Sequence, residues 1–290
     1  MPVRTRQRSH RAAALAMTLT VAIAAGGCTE SDDATRSDAV RAQPTQSTTA
    51  AKPAPRPTLA PPLKRGEYRG PVPILMYHVM AAPPAGAAYS GLWTSPAAFK
   101  AQTRALADAG YTAVTLDQVD GAWHGGPGLP NKPVVFTFDD GYLSQLTNAA
   151  PVLRQLGWRG VLNLEVRNIR AGDLTERQVR SLLARGWELA AHTRTHPDLT
   201  TLGAAALDSE VGGSRRDLQK RFGEPVAFFA YPAGSFNASA QQAVRDAGFR
   251  GATTTEPGIA RPGDDRTALP RLRIDGNTSP AALLTMVEGG

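Results

Sequence analysis

Apolar residues change their rhythm along this chain. From residue 72 onward, short and nearly continuous apolar runs alternate with longer segments spaced for one helical face. Val72–Tyr77, Tyr111–Leu116, Lys132–Phe138, Gly160–Val166, Trp187–Ala191, Val226–Ala230, Phe249–Thr253 and Leu272–Ile274 read as buried strands. Between them, Ser95-Pro96 supplies an N-cap and a proline at the first helical position. Phe99, Leu106 and Ala109 give that helix its apolar stripe, and Gly110 ends it. Ser144–Leu156 reads as a helix stopped by Gly157. Thr175-Glu176-Arg177-Gln178 is a capping box for a helix ending near Gly186. Leu202–Phe222 is mostly helical, weakened at Gly212-Gly213; Ser239–Ala247 stops at Gly248; a last helix starts at Pro280. Such alternation predicts an α/β protein whose parallel sheet is covered by helices. About seven repeats fit a barrel better than a small open sheet.

Upstream of this region the pattern is different. Arg4, Arg6, Arg8 and Arg11 precede an apolar stretch from Ala12 to Ala25, broken only by Thr18 and Thr20. The stretch is short for a membrane span and ends in small residues, which predicts a signal peptide over residues 1–27. Cys28 follows two glycines and resembles a bacterial lipoprotein processing site, in which that cysteine carries the lipid. Ala25 stands where the pattern prefers Leu, so plain secretion is the alternative. Residues 28–70 are rich in Thr, Ser, Ala and Pro without apolar period and read as a disordered tether. Residues 71–290 are the folded domain. The expected location is extracytoplasmic, lipid-anchored at the outer face of the cell membrane or otherwise secreted.

Composition changes the picture in two places. The net charge of +7 invites a nucleic-acid reading. Residues 1–69 hold 11 Lys/Arg against 5 Asp/Glu, however, whereas residues 70–290 hold 21 against 20. The folded part is nearly neutral, so no nucleic-acid footprint is expected. A single cysteine excludes a disulfide framework and any cysteine-based metal cluster.

The candidate chemistry lies at strand ends. Thr137-Phe138-Asp139-Asp140-Gly141 places two adjacent carboxylates after an apolar strand. Burying both ionised groups is costly without a cation, and a metal would let one ligate while the other stays free as a base. A solvated turn is the alternative. His192 and His196, in Ala190–Pro197, follow another strand and can point at one metal ion. Barrel enzymes gather their sites at such strand ends. His10 falls in the signal peptide, and His124 reads as a structural loop residue.

TFDDG followed by HTRTH resembles the polysaccharide deacetylase, or NodB-homology, family. The resemblance covers roughly residues 72–290, with core motifs in 132–290, and implies a distorted (β/α) barrel of about seven parallel strands. It makes Asp139 the general base and Asp140, His192 and His196 the ligands of a divalent metal, with zinc first and cobalt or nickel as alternatives. The family's usual Arg-x-Pro-Tyr is replaced, Ala230 and Ala233 standing at its ends. Phe229–Gly234 (FAYPAG) instead resembles the branch that de-N-acetylates poly-β-1,6-N-acetylglucosamine. This assigns Tyr231, Pro232 and Ala233 to substrate or oxyanion contact. The late Leu-x-His motif is missing, and no histidine follows His196. Met76–Val79 resembles that branch's Tyr-His-x-Val motif, so His78 is the candidate acid. Arg271 and Arg273 alternate on a short strand, and either can supply a guanidinium that orients the base, surface charge being the alternative. Tyr77, Trp93 and Tyr231 either stack on sugars or pack in the core.

The resemblance implies a metal-dependent hydrolase that removes N-acetyl groups from an N-acetylglucosamine-containing cell-surface polysaccharide. The alternatives are an O-acetyl esterase on xylan or peptidoglycan and a non-catalytic carbohydrate-binding protein. The expected partner is the polysaccharide, with no nucleic acid. Membrane contact is expected only through Cys28, on a monomeric chain.

Overall fold

Strands buried on both faces need neighbours on both edges, and a closed ring supplies them. The computed structural model describes residues 66–170 and 172–289; the signal-peptide segment, Cys28 and most of the tether lie outside the described residues. Eight strands form there: β1 (Ile74–Tyr77), β2 (Thr112–Val114), β3 (Pro133–Asp140), β4 (Val161–Leu164), β5 (Glu188–Ala191), β6 (Phe228–Ala230), β7 (Gly251–Pro257) and β8 (Leu269–Arg273). Every pairing between them is parallel. β1 pairs with both β3 and β8, so seven strands close in the order β1-β8-β7-β6-β5-β4-β3. β2 stays outside the ring. Val135 pairs with Ile74 of β1 and Val114 of β2, while Phe138 pairs with Tyr77 of β1 and Leu162 of β4. Thus β2 and β4 share one edge of β3.

The helices are α1 (Pro96–Asp108), α2 (Leu116–Trp123), α3 (Ala150–Gln155), α4 (Glu176–Leu183), α5 (Ala204–Leu207), α6 (Gly213–Phe222), α7 (Ala238–Asp246) and α8 (Pro280–Glu288). Side chains alternate across each strand. Leu75, Tyr77, Phe136, Phe138, Leu162, Leu189 and Phe229 belong to the large apolar cluster shared with the helices. Their neighbours Ile74, Val135, Val161, Ala190, Phe228 and Leu269 form a second cluster, the barrel floor. Tyr77 stacks on Phe136 and Phe138 and meets Phe99 of α1 edge-on, at centroid distances of 6.1, 5.7 and 5.2 Å.

Three local features differ from the sequence expectation. Strand β2 ends at Val114, and Leu116–Trp123 is helical. Thr115 and Gln118 form its capping box, and Leu116, Val119 and Ala122 join the barrel floor. The stretch 144–156 is also split, with a wide π-turn over Gln145–Ala149 before α3; a similar turn over Asp208–Gly212 joins α5 to α6. The chain is engaged from Gly66, within the segment read as tether: Gly66 and Tyr68 form antiparallel bridges with Gly128 and Leu129. No helix among the described residues is long and apolar enough to cross a membrane.

Candidate active site

Alternation along β3 sends Val135, Thr137 and Asp139 to the interior. Asp140 leaves that pattern through backbone angles rare for a residue with a Cβ. Its φ is 75° and that of Gly141 is 97°, and the Gly141 N–H donates to the Asp139 carbonyl at 3.0 Å. That φ favours glycine at 141, and a Cβ there would also crowd Leu164 Cδ1 at 2.5 Å. This turn gives two sequence neighbours different surroundings.

After β5 the chain makes a comparable turn. Thr193 and His196 have φ of 64° and 59°, and the His196 N–H donates to Thr193 Oγ1 at 2.9 Å. Glu210 accepts from the Arg194 and Thr195 N–H groups, both at 2.9 Å, and fixes the loop from the helical side. The His192 and His196 rings stand 4.9 Å apart with planes at 71°. Asp140 Oδ1 lies 3.4 Å from His192 Nε2 and 3.7 Å from His196 Nε2. One donor atom from each of the three residues falls within 4.8 Å of the others. His192 Nδ1 donates to the Ala230 carbonyl at 2.7 Å, so in the neutral ring the Nε2 lone pair faces Asp140. Two imidazoles and one carboxylate, so oriented, fit a divalent transition metal.

Asp139 faces a different set of groups. Arg271 grips it with both ends of its guanidinium, Nη1 to Oδ1 and Nη2 to Oδ2, each at 2.8 Å. Arg271 is fully buried and is itself held by the Thr254 carbonyl at 2.7 Å and Thr137 Oγ1 at 3.0 Å. Asn163 Nδ2 adds a 2.7 Å bond to Asp139 Oδ1. Burial alone would raise the carboxyl pKa. The Arg271 charge, aided by His78 and the hydrogen bonds, overcomes burial and holds it well below the usual carboxylate range. His78 Nε2 stands 3.7 Å from Asp139 Oδ2. Burial lowers the His78 pKa, and the Asp139 and Asp140 charges offset only part of that. Gln145 ties the two together by donating to the carbonyls of Asp139 (2.6 Å) and His78 (3.0 Å).

His78, Asp139, Asp140, His192 and His196 line a cleft of about 740 Å³ at the C-terminal ends of the strands, with Arg271 buried behind Asp139. The structure therefore gathers His78, Asp139, Asp140, His192, His196 and Arg271. The two arginines divide. Arg271 contacts Asp139, while Arg273 reaches the cleft with an exposed side chain and has no carboxylate partner among the described residues. Ala233 borders the cleft with φ 51° and ψ 10°, and Pro232 is buried beside it. Tyr231 reaches the cleft wall, but its ring packs on Phe229 and Phe236 at 5.3 and 5.0 Å and its hydroxyl donates to the Thr267 carbonyl. Tyr77 is buried too and donates to Gln102 Oε1. Neither ring is displayed as a sugar platform; Trp93 is half-buried. His124 lies at the barrel floor, 3.1 Å from Asp120 Oδ1. The sequence reading missed Asn163, Gln145 and Asn168, which donates to the Asp140 carbonyl at 3.1 Å.

Known proteins share this architecture. The family model described as polysaccharide deacetylase matches residues 127–252. The Bacillus subtilis (strain 168) protein YxkH, assigned to the polysaccharide deacetylases, is 28% identical over 218 residues, covering 75% of this chain and 76% of its own. The crystal structure of BA0330 from Bacillus anthracis, with the same assignment, superposes with a TM-score of 0.67 at 30% identity. It covers 75% of this chain and 69% of its own. The poly-β-1,6-N-acetyl-D-glucosamine N-deacetylase of Escherichia coli (strain K12) is 42% identical over 64 residues, which span 22% of this chain and 10% of that protein. With that likeness and a cleft built as described, the chain belongs to the polysaccharide deacetylase family, hydrolases that act on amide bonds.

Proposed function

We propose that the protein is a metal-dependent N-deacetylase of an N-acetylglucosamine-containing polysaccharide. The observation that carries this is the division between neighbouring carboxylates. Asp140 faces two imidazoles, whereas Asp139 faces a guanidinium, an amide and a third imidazole. The match to the Escherichia coli deacetylase supports the N-acetylglucosamine polymer as the substrate class.

Asp140, His192 and His196 would hold the cation, zinc first with cobalt or nickel as alternatives; when bound, it supplies Lewis acidity that polarises the acyl carbonyl and acidifies a water. Asp139, kept ionised by Arg271, accepts the proton of the attacking water. The bidentate grip fixes the carboxylate plane, so the base needs no reorientation. A backbone N–H of the Ala233 turn, at the edge of the cleft, would receive the developing oxyanion. His78, beside Asp139 at the cleft, donates a proton to the departing amine as the carbon–nitrogen bond breaks. Acetate and a free amine result. Arg271, rather than Arg273, is the base-orienting residue of this scheme. We propose further that the protein works outside the cytoplasm, anchored by lipid at Cys28.

The test is acetate release from defined glycans, with and without chelator. Release from N-acetylglucosamine oligomers that stops on metal removal and returns with zinc is expected. Binding of those oligomers without any release would leave a carbohydrate-binding protein, and release from acetyl esters alone would leave an esterase.

A further inference from the structure

The loop between β1 and α1 carries a side chain the scheme above does not use. Among the described residues Tyr89 is the one large hydrophobic side chain counted as exposed, at 82%. It makes no ring-to-ring contact there and no hydrogen bond through its hydroxyl. Its backbone is left-handed, φ 55° and ψ 47°, a region that disfavours residues with a Cβ. Packing therefore gives no account of a tyrosine at this position. The main chain beneath it is nonetheless firmly held. The Leu92 N–H donates to the Tyr89 carbonyl at 2.9 Å. Val79, just past β1, donates to the Leu92 carbonyl at 3.0 Å and accepts from the Thr94 N–H at 2.9 Å. An aromatic ring is thus displayed on a fastened turn at the rim of the cleft that also holds Asp139 and the Asp140–His192–His196 cluster.

Resting on the deacetylase reading, we infer that Tyr89 is a stacking platform for a pyranose ring of the glycan, the ring flanking the sugar that loses its acetyl group. A pyranose presents an apolar C–H face that suits an aromatic plane, while its hydroxyls stay in water. An exposed, preorganised tyrosine binds such a face at little entropic cost. Its neighbours favour a sugar over a lipid surface. Residues 81–90 hold alanine, proline, glycine and serine but no second aromatic or large aliphatic side chain, whereas membrane insertion needs a broad apolar face.

The test compares wild type, Tyr89→Ala and Tyr89→Trp on an N-acetylglucosamine pentamer and on 4-methylumbelliferyl acetate, which carries no sugar. The alanine variant is expected to raise KM for the pentamer by roughly three- to tenfold with kcat unchanged. Ester turnover and the melting temperature should stay at wild-type values, and tryptophan should restore KM. An unchanged pentamer KM in an active alanine variant overturns the inference and leaves the deacetylase reading intact. Equal losses on pentamer and ester overturn it in favour of a structural role. Loss of sedimentation with phosphatidylglycerol vesicles at unchanged KM overturns it in favour of a membrane contact. A wild type inactive on every glycan sinks the deacetylase reading and this inference together.

Discussion

Arg271 and Asp139 form a buried pair in which each partner makes the other tolerable. A guanidinium sealed inside a barrel is costly unless its donors are met, and here a carboxylate, a hydroxyl and a carbonyl meet them. Arg271→Met should destabilise the fold by about 3–5 kcal/mol, because Asp139 stays buried without its counter-charge; urea unfolding measures this. Arg271→Lys keeps the charge and loses the fork, so it should retain most stability yet lower kcat. The neighbouring carboxylates should separate in the same way. Asp139→Asn should keep bound metal at wild-type stoichiometry and lose turnover by at least about a hundredfold, whereas His192→Ala should lose both. Metal analysis alongside acetate release checks the pair, and equal metal loss would refute the division.

At the scale of elements, α2 closes the barrel floor and sets its N-terminus against an acidic group of β5. Glu188, at the start of β5, accepts from the Asp117 N–H at 3.2 Å, while its Oε1 is buried without a partner. Burial, foremost, and the Asp117 charge push its pKa up to about 7, against the lowering by hydrogen bonds from α2's N-terminus. An unfolded chain releases that proton near 4.5, so folding takes one up between about 4.5 and 7. Stability from this group is therefore greatest at the acid end and falls as pH rises through that window. Glu188→Gln should flatten the fall, read as a smaller difference in melting temperature between about pH 5 and pH 7.5. The ring strands were legible because burial on both faces leaves continuous apolar runs. Helix α2 was not, because its apolar residues follow β2 without a break. The pair Thr115 and Gln118 was the available signal. The strand-end motifs announced the carboxylates and imidazoles. Asn163 was silent because its role comes from its pairing opposite Asp139, a register no single strand encodes.

For the whole molecule, ring closure and site assembly are one event. The segment matched by the family model, 127–252, contains Asp139, Asp140, His192 and His196 but neither His78 on β1's end nor Arg271 on β8. Expressed alone it would keep only the first two residues of β7 and would leave the outer edge of β3 and most of the edge beyond β6 unpaired. That fragment should be inactive and aggregation-prone, as acetate release and size-exclusion chromatography would show. The guanidinium that steadies Asp139 lies 132 residues further along the chain. A polypeptide leaving the ribosome thus displays its acid residues long before the arginine exists to restrain them. Competence arrives only once β8 has been made, and a product interrupted before that strand is inert by design of its threading.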